Sequence, residues 1–194
     1  MTVSNTPFQV AAIFVFASCA HTEMTGDEHR AAAADDMAAA APSTQTTFYK
    51  PGEANLADAD RKMASAFAHL NAARKLERFE NDACFGISTP ERMSCPLIAP
   101  HLDKIEEGIR GVVLHFKSAQ TTRTVGIQMR CHLAFAMANN FERTPCPLYL
   151  KGVVITLVGD KAIEVTSTDP NVTRAVREAA RRMFGEPPNT VSRR

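Results

Sequence analysis

The chain contains no tryptophan, only nine glycines and almost no net charge. Each scarcity removes a class of function. Glycine is too sparse for glycine-rich loops that wrap phosphates, and no such motif occurs. Lys+Arg 22 against Asp+Glu 21 gives a formal charge of +1, without the strongly basic footprint of a dedicated nucleic-acid binder. The N-terminal apolar run, residues 8–18, falls short of the roughly 20 residues that a membrane-spanning helix requires. Neither Gly-x-Ser-x-Gly nor His-Glu-x-x-His is present. What the chain does have is 45% hydrophobic residues over 194 positions, enough for one principal domain with a core.

The apolar run (Phe8-Gln-Val-Ala-Ala-Ile-Phe-Val-Phe-Ala-Ser18) has the length of a secretory h-region, about 7 to 15 residues ending in small side chains. It stops at Phe16-Ala17-Ser18-Cys19, which resembles the lipobox of bacterial lipoproteins, with Phe16 where leucine is usual. The resemblance implies cleavage before Cys19, so that residues 1–18 are a signal peptide. It implies a fatty-acylated (palmitate-type) diacylglycerol anchor on Cys19. Ala20 follows the lipid site where an aspartate would act as an inner-membrane retention signal. Similarity to Gram-negative lipoproteins then implies the periplasmic face of the envelope, at the inner leaflet of the outer membrane.

Residues 19–53 read as the lipidated cysteine and a flexible Ala/Thr-rich tether. The alanine-rich stretch 31–41 favours helix but offers few large apolar side chains to bury. Pro42 and the threonines after it read as linker. His21, Glu23, Met24, Asp27, Glu28 and His29 gather groups able to chelate a soft metal loosely. In a tether they read more simply as solvated spacer.

Residues 54–185 read as a single globular domain, with 186–194 as a disordered tail. Leu56, Ala59, Met63, Phe67, Leu70, Ala73 and Leu76 recur at three- and four-residue steps and predict an amphipathic helix. Val112 to Lys117 alternates as a strand, with Leu102 to Glu106 as its hairpin partner turning at Glu107-Gly108. Thr121 to Asn140 reads as a helix with two apolar faces. One carries Val125, Met129, Leu133 and Ala136, and the other Ile127, Cys131, Ala134, Phe135 and Ala138. A helix apolar on two faces is buried on both. A second hairpin spans Val153–Leu157 and Ala162–Thr166 around Gly159. Asp169 and Pro170 open a last helix, which Gly185, Pro187 and Pro188 close. The fold class is therefore α+β: an N-terminal helix, then β-β-α-β-β-α, an antiparallel sheet with helices packed mainly on one face.

Cys84, Cys95, Cys131 and Cys146 remain after Cys19. An even number in an exported chain reads as two disulfides. Cys84–Cys95 and Cys131–Cys146 close the shortest loops; the rival pairing, 84 with 131 and 95 with 146, has weight because Cys131 faces an apolar side of a central helix. The phrases Ser94-Cys-Pro-Leu97 and Pro145-Cys-Pro-Leu148 place two of the cysteines before proline, in extended backbone.

The alternative is an exported metal-binding or thiol-redox protein using Cys131, His132 and Cys146, with His101 or His115 as further ligands. No closely spaced C-x2-4-C ligand pair supports it. Cys131 and His132 are chain neighbours on a helix and point about 100° apart. No catalytic residue set, metal or cofactor is assigned, and the enzyme reading is disfavoured. The expected function is a lipid-anchored binding or interaction module. Its expected partners are the membrane through the anchor and an envelope protein or small-molecule ligand, with no nucleic acid.

Overall fold

A computed structural model describes residues 24–45, 53–97, 102–144 and 146–184. The expected signal peptide, Cys19, His21, Glu23, His101, the closing Gly185-Pro187-Pro188 and the expected C-terminal tail lie outside the described residues. The chain is α+β. Five helices, α1 Gly26–Gln45, α2 Glu53–Ala83, α3 Thr89–Met93, α4 Ala119–Ala138 and α5 Pro170–Phe184, accompany four strands. The strands, β1 Leu102–Gly108, β2 Gly111–Phe116, β3 Val154–Val158 and β4 Ala162–Thr166, form one antiparallel sheet in the order β1-β2-β4-β3.

Period-two alternation sets the faces of the sheet. Val112 and Leu114 stand opposite Val165 and Ile163, and all four are buried in one cluster. Burying a side chain of this size stabilises by about 1.5–3 kcal/mol. Val125, Met129 and the flanking Leu133 of α4 join that cluster, as do Val176, Ala179 and Ala180 of α5. The other sheet face carries Lys104, Glu106, Val113, His115, Thr156 and Glu164. There Glu106 accepts hydrogen bonds from Lys104 and His115. The first hairpin turns at Ile109-Arg110, two residues beyond the expected Glu107-Gly108. Arg177 of α5 explains the position, since its guanidinium donates to the carbonyls of Gly108 and Ile109 and fixes the turn.

α4 is covered twice. Its sheet side lies on β2, β3 and β4, while its opposite side meets α2. Cys131, Ala134, Phe135 and Ala138 are buried on that second side. Ile127, grouped with them by periodicity, is exposed.

The expectation of a tether fails over residues 26–45, which form a helix docked along α2. The two helices run antiparallel: Arg30 meets Glu77 near one end, and Lys62 reaches the Ala39 carbonyl near the other. Small side chains make this possible. Ala33 and Ala40 of α1 and Ala59, Ala66 and Ala73 of α2 are buried, each set spaced by seven residues along one seam. The larger Leu56 (46% exposed) and Phe67 (56%) of the expected apolar stripe stay at the flanks. Alanine gains little per side chain but lets two backbones approach closely.

The start of α1 is equally specified. Thr25-x-x-Glu28 is a capping box: Thr25 N–H donates to Glu28, and Glu28 N–H donates to Thr25 Oγ1. Next to it, a Cβ on Gly26 would stand 2.0 Å from the Ala138 carbonyl oxygen. Asp27 N–H donates to Asn139 O, and Arg30 to Ala138 O. The N-terminus of α1 therefore abuts the C-terminus of α4, where spare amides meet spare carbonyls and opposite dipole ends face each other.

The close seam is testable. Ala33→Leu forces a branched side chain into it and is expected to cost about 1–3 kcal/mol of stability. Ala34→Leu, at the exposed neighbouring position, is expected to change little. Denaturant unfolding of both variants checks this; equal, negligible effects would mean that α1 is not docked.

Candidate functional site

Two clusters concentrate the chain's polar chemistry. The first surrounds the cysteines. Cys84 at the end of α2 is bonded to Cys131 on α4, and Cys95 to Cys146. The shortest-loop pairing is thus replaced by the long one, because packing decides which sulfurs meet. α2 crosses α4 with the Cα atoms of Cys84 and Cys131 4.6 Å apart. Sequence separations of 47 and 51 make each bridge worth about 4 kcal/mol in the chain-entropy account. Paired and buried sulfurs of this kind are not thiolate ligands.

Between the bridges, α3 is fastened to α4. Ser88 opens α3 by donating to Glu91 from both its N–H and its hydroxyl. The Arg92 carbonyl accepts from His132 Nδ1 at 2.6 Å, while the Arg92 guanidinium pairs with Glu80 at 2.7 Å. Asn139 also donates to Glu80. His132 is 1% exposed. Burial lowers its pKa, with the bond to Arg92 opposing, and donation to that carbonyl places a proton on Nδ1. Its ring lies 4.5 Å from that of Tyr149. His132 Nε2 and the Tyr149 hydroxyl are the two buried side-chain polar atoms without a partner among the described residues. Burial raises the Tyr149 pKa well above its ordinary value of 10.0. Of the alternative ligand candidates, Cys131 and Cys146 are thus in disulfides and His132 fastens α3 to α4. Among the described residues, no three or more His, Cys, Asp or Glu side chains converge as a metal site.

The second cluster lies at the other end of the α2–α4 contact. A cavity of about 350 Å³ is lined by Met24, Thr25, His29, Ala72, Lys75, Leu76, Met137 and Phe141. The capping box positions Met24, Thr25 and His29 at the start of α1. Successive turns of α2 supply Ala72, Lys75 and Leu76, and the last turn of α4 supplies Met137. Lys151 holds Glu28 from outside at 3.1 Å, and Asp27 pairs with both Arg30 and Arg143. His29 reaches His69 of α2, with 2.9 Å between their Nδ1 atoms. No helix among the described residues is long and apolar enough to cross a membrane.

No protein-family model, curated protein or solved structure matches the chain.

Sequence reasoning grouped Met24 and His29 but missed His69, Met137 and Phe141, which lie 40 or more residues from His29. The signal available was Thr25-x-x-Glu28, a capping box that fixes where α1 starts and thereby orients His29 toward α2.

Two predictions follow from this geometry. Because the Tyr149 hydroxyl is buried without a partner, Tyr149→Phe is expected to keep or raise the melting temperature, whereas losing a satisfied hydroxyl costs about 1 kcal/mol or more. A clear loss on substitution would mean that the hydroxyl is hydrogen-bonded. For Glu28, the Thr25 backbone bond is the main cause of a pKa below 4.5; partial burial opposes it and Lys151 adds to it. A depressed carboxylate contributes stability above its unfolded pKa, and that contribution is lost as pH falls through the folded value. Glu28→Gln is therefore expected to melt lower than wild type near neutral pH, with the gap closing below pH 4.5. Thermal melts across that range check this, and a gap that persists in acid would contradict it.

Proposed function

We propose that the chain is a lipid-anchored envelope protein that binds a ligand in the cavity between α1, α2 and the end of α4. The cavity carries this reading. Its volume of about 350 Å³ falls in the range of small-ligand sites, and its mainly apolar wall with a few convergent polar groups matches their usual chemistry. Anchoring rests on the apolar run and Phe16-Ala17-Ser18-Cys19. Two disulfides are compatible with an oxidising compartment. The anchor and the cavity are close along the chain. Five peptide steps separate Cys19 from Met24, so the cavity lies within about 18 Å of the lipidated residue. Under this reading the site works next to the membrane surface of the outer-membrane inner leaflet, facing the periplasm. The metal alternative built on the cysteines and His132 is less well supported, since the sulfurs are paired and His132 fastens α3.

The test isolates wild type and two variants from the envelope that makes them, and weighs each by native mass spectrometry. Wild type is expected to carry a diacyl modification that Cys19→Ala lacks. It is also expected to retain a noncovalent adduct that Ala72→Phe, which fills the cavity, does not. An unmodified Cys19 would remove the anchor, and adduct-free wild type would remove the binding site.

A further inference from the structure

The tip of the β1–β2 hairpin carries the most exposed large apolar side chain among the described residues: Ile109 is 94% exposed. Scattered apolar side chains are ordinary on a surface. What sets this one apart is the backbone beneath it. Carbonyls at a hairpin tip commonly face water, but these are taken from behind. The Arg177 guanidinium of α5 donates to Gly108 O and, at 2.8 Å, to Ile109 O. Arg110 O accepts from Ser167 N–H at 2.9 Å and from the Thr173 hydroxyl at 3.3 Å. An unpaired carbonyl is costly to bring out of water. With three successive acceptors held internally, the tip can enter an apolar boundary without stranding them.

Positive charge surrounds the same point. Arg110 is exposed beside Ile109, and the Arg177 guanidinium lies under the turn. Arg174, also exposed, stands one helical turn before Arg177 on the same face of α5. The bonds of Arg177 and Arg174 run to backbone carbonyls and to the Asn171 amide oxygen, so their charge is not spent on a carboxylate. Glu107 is already paired with Arg181, and Glu178 is the single carboxylate of α5 against four arginines. An aliphatic side chain flanked by such cations suits an anionic phospholipid surface. Phosphates meet the guanidinium groups, and the side chain reaches the acyl boundary. A protein interface, by contrast, takes roughly 800 Å² from each partner, and the tip is one convex turn.

The tip also lies at the end of the molecule where α1 starts. Gly111 pairs with Thr166, and Thr166 with Val154, so the residues leading into β3 share that end of the sheet. A Cβ on Gly152 would stand 3.8 Å from Oγ of Ser167, the residue whose N–H holds the tip. Its neighbour Lys151 holds Glu28 on the first turn of α1.

We infer that the β1–β2 tip is a membrane-contact site, with Ile109 inserting into the interface of an anionic phospholipid bilayer and Arg110, Arg174 and Arg177 engaging its phosphates. The contact is distinct from the proposed acyl anchor and does not rest on it. Where both act, they address one surface from the same end of the domain.

The test uses residues 19–194 with Cys19→Ala, which hold every described element and no acyl chain. The probes are vesicles of phosphatidylcholine, with or without about one third phosphatidylglycerol. Sedimentation is expected to show binding to the anionic vesicles that falls as salt is added. Ile109→Ser is expected to weaken it about tenfold or more, the effect of removing one aliphatic side chain from an apolar setting. Arg110→Gln and Arg174→Gln are each expected to weaken it roughly fivefold. Phe85→Ser removes a ring 92% exposed at the end of α2 and should change nothing. All four side chains are exposed, so the melting temperatures should match that of the parent chain.

The absence of tryptophan from the chain provides a second readout. Ile109→Trp places a single indole at the tip. Anionic vesicles should shift its emission to the blue, and brominated acyl chains should quench it. Three results would each overturn the membrane contact: no binding to anionic vesicles, binding indifferent to Ile109→Ser, or an Ile109→Trp indole that stays in water on the bound chain. A tip-dependent protein complex without vesicle binding would do the same. Because no acyl chain is present, these outcomes leave the Cys19 anchor and the cavity untouched, and failure of either of those leaves the contact standing.

Discussion

A helix with apolar residues on two opposite faces has to be covered on both, and the rest of this structure follows from how α4 meets that demand. One cover is the four-stranded sheet, which takes Val125 and Met129 into its core. The other is α2, whose end is bonded to α4 through Cys84–Cys131. α5 completes the sheet side, with Val176, Ala179 and Ala180 buried beside Ile163 and Val165. Both the disulfide-bracketed α3 segment and the cavity form where α2 and α4 meet, at opposite ends of their contact. A single requirement, that α4 be buried twice, thus generates a rigid end and a hollow end.

Those ends differ in how their polar groups are spent. Around the bridges, the hydrogen-bonding groups of Arg92, Glu80, Asn139 and His132 Nδ1 act on one another. The remaining two atoms, His132 Nε2 and the Tyr149 hydroxyl, are sealed from solvent. A network so enclosed rigidifies and does not exchange ligands. At the cavity, by contrast, His29 of α1 and His69 of α2 face each other with their Nδ1 atoms 2.9 Å apart. Cysteines and a neighbouring histidine attract attention in a sequence; here they are the fastening.

Much of the domain was legible because period-two and period-3.6 patterns report burial directly. The double face of α4, both hairpins and the Asp169-Pro170 start of α5 all came from such patterns, and Asp169 does accept the Asn171 N–H. What escaped depends on long-range contact. The expected stripe of α2 put Leu56 and Phe67 on the buried face beside Ala59 and Ala73 and left out Ala66, because size signals burial when the partner is a sheet or a distant helix. Against a second alanine-bearing helix the order reverses: the smallest residues sit in the seam and the largest flank it. The same inversion made α1 look like spacer, since its buried positions are Ala33 and Ala40. Disulfide pairing was open for a related reason. Loop length ranks pairings by entropy alone, whereas the crossing of α2 over α4 decides which cysteine Cα atoms come within reach.

The docking of α1 also changes what an anchor at Cys19 would mean. A tether of some thirty residues would let the domain wander far from the bilayer, and the position of any site on it would be irrelevant to the membrane. With α1 packed from Gly26 onward, few residues separate the proposed lipid from the capped helix start, and their reach is limited to about 3.3–3.6 Å each. The helix start is itself held by the Thr25–Glu28 box, by Lys151 on Glu28 and by Asp27 N–H donating to Asn139 O, with Gly26 close against Ala138. Were Cys19 anchored, tension on it would be delivered to the residues that form the cavity wall, Met24, Thr25 and His29. An element that looks like a passive spacer in composition would then be mechanically the link between the proposed membrane attachment and the proposed ligand site.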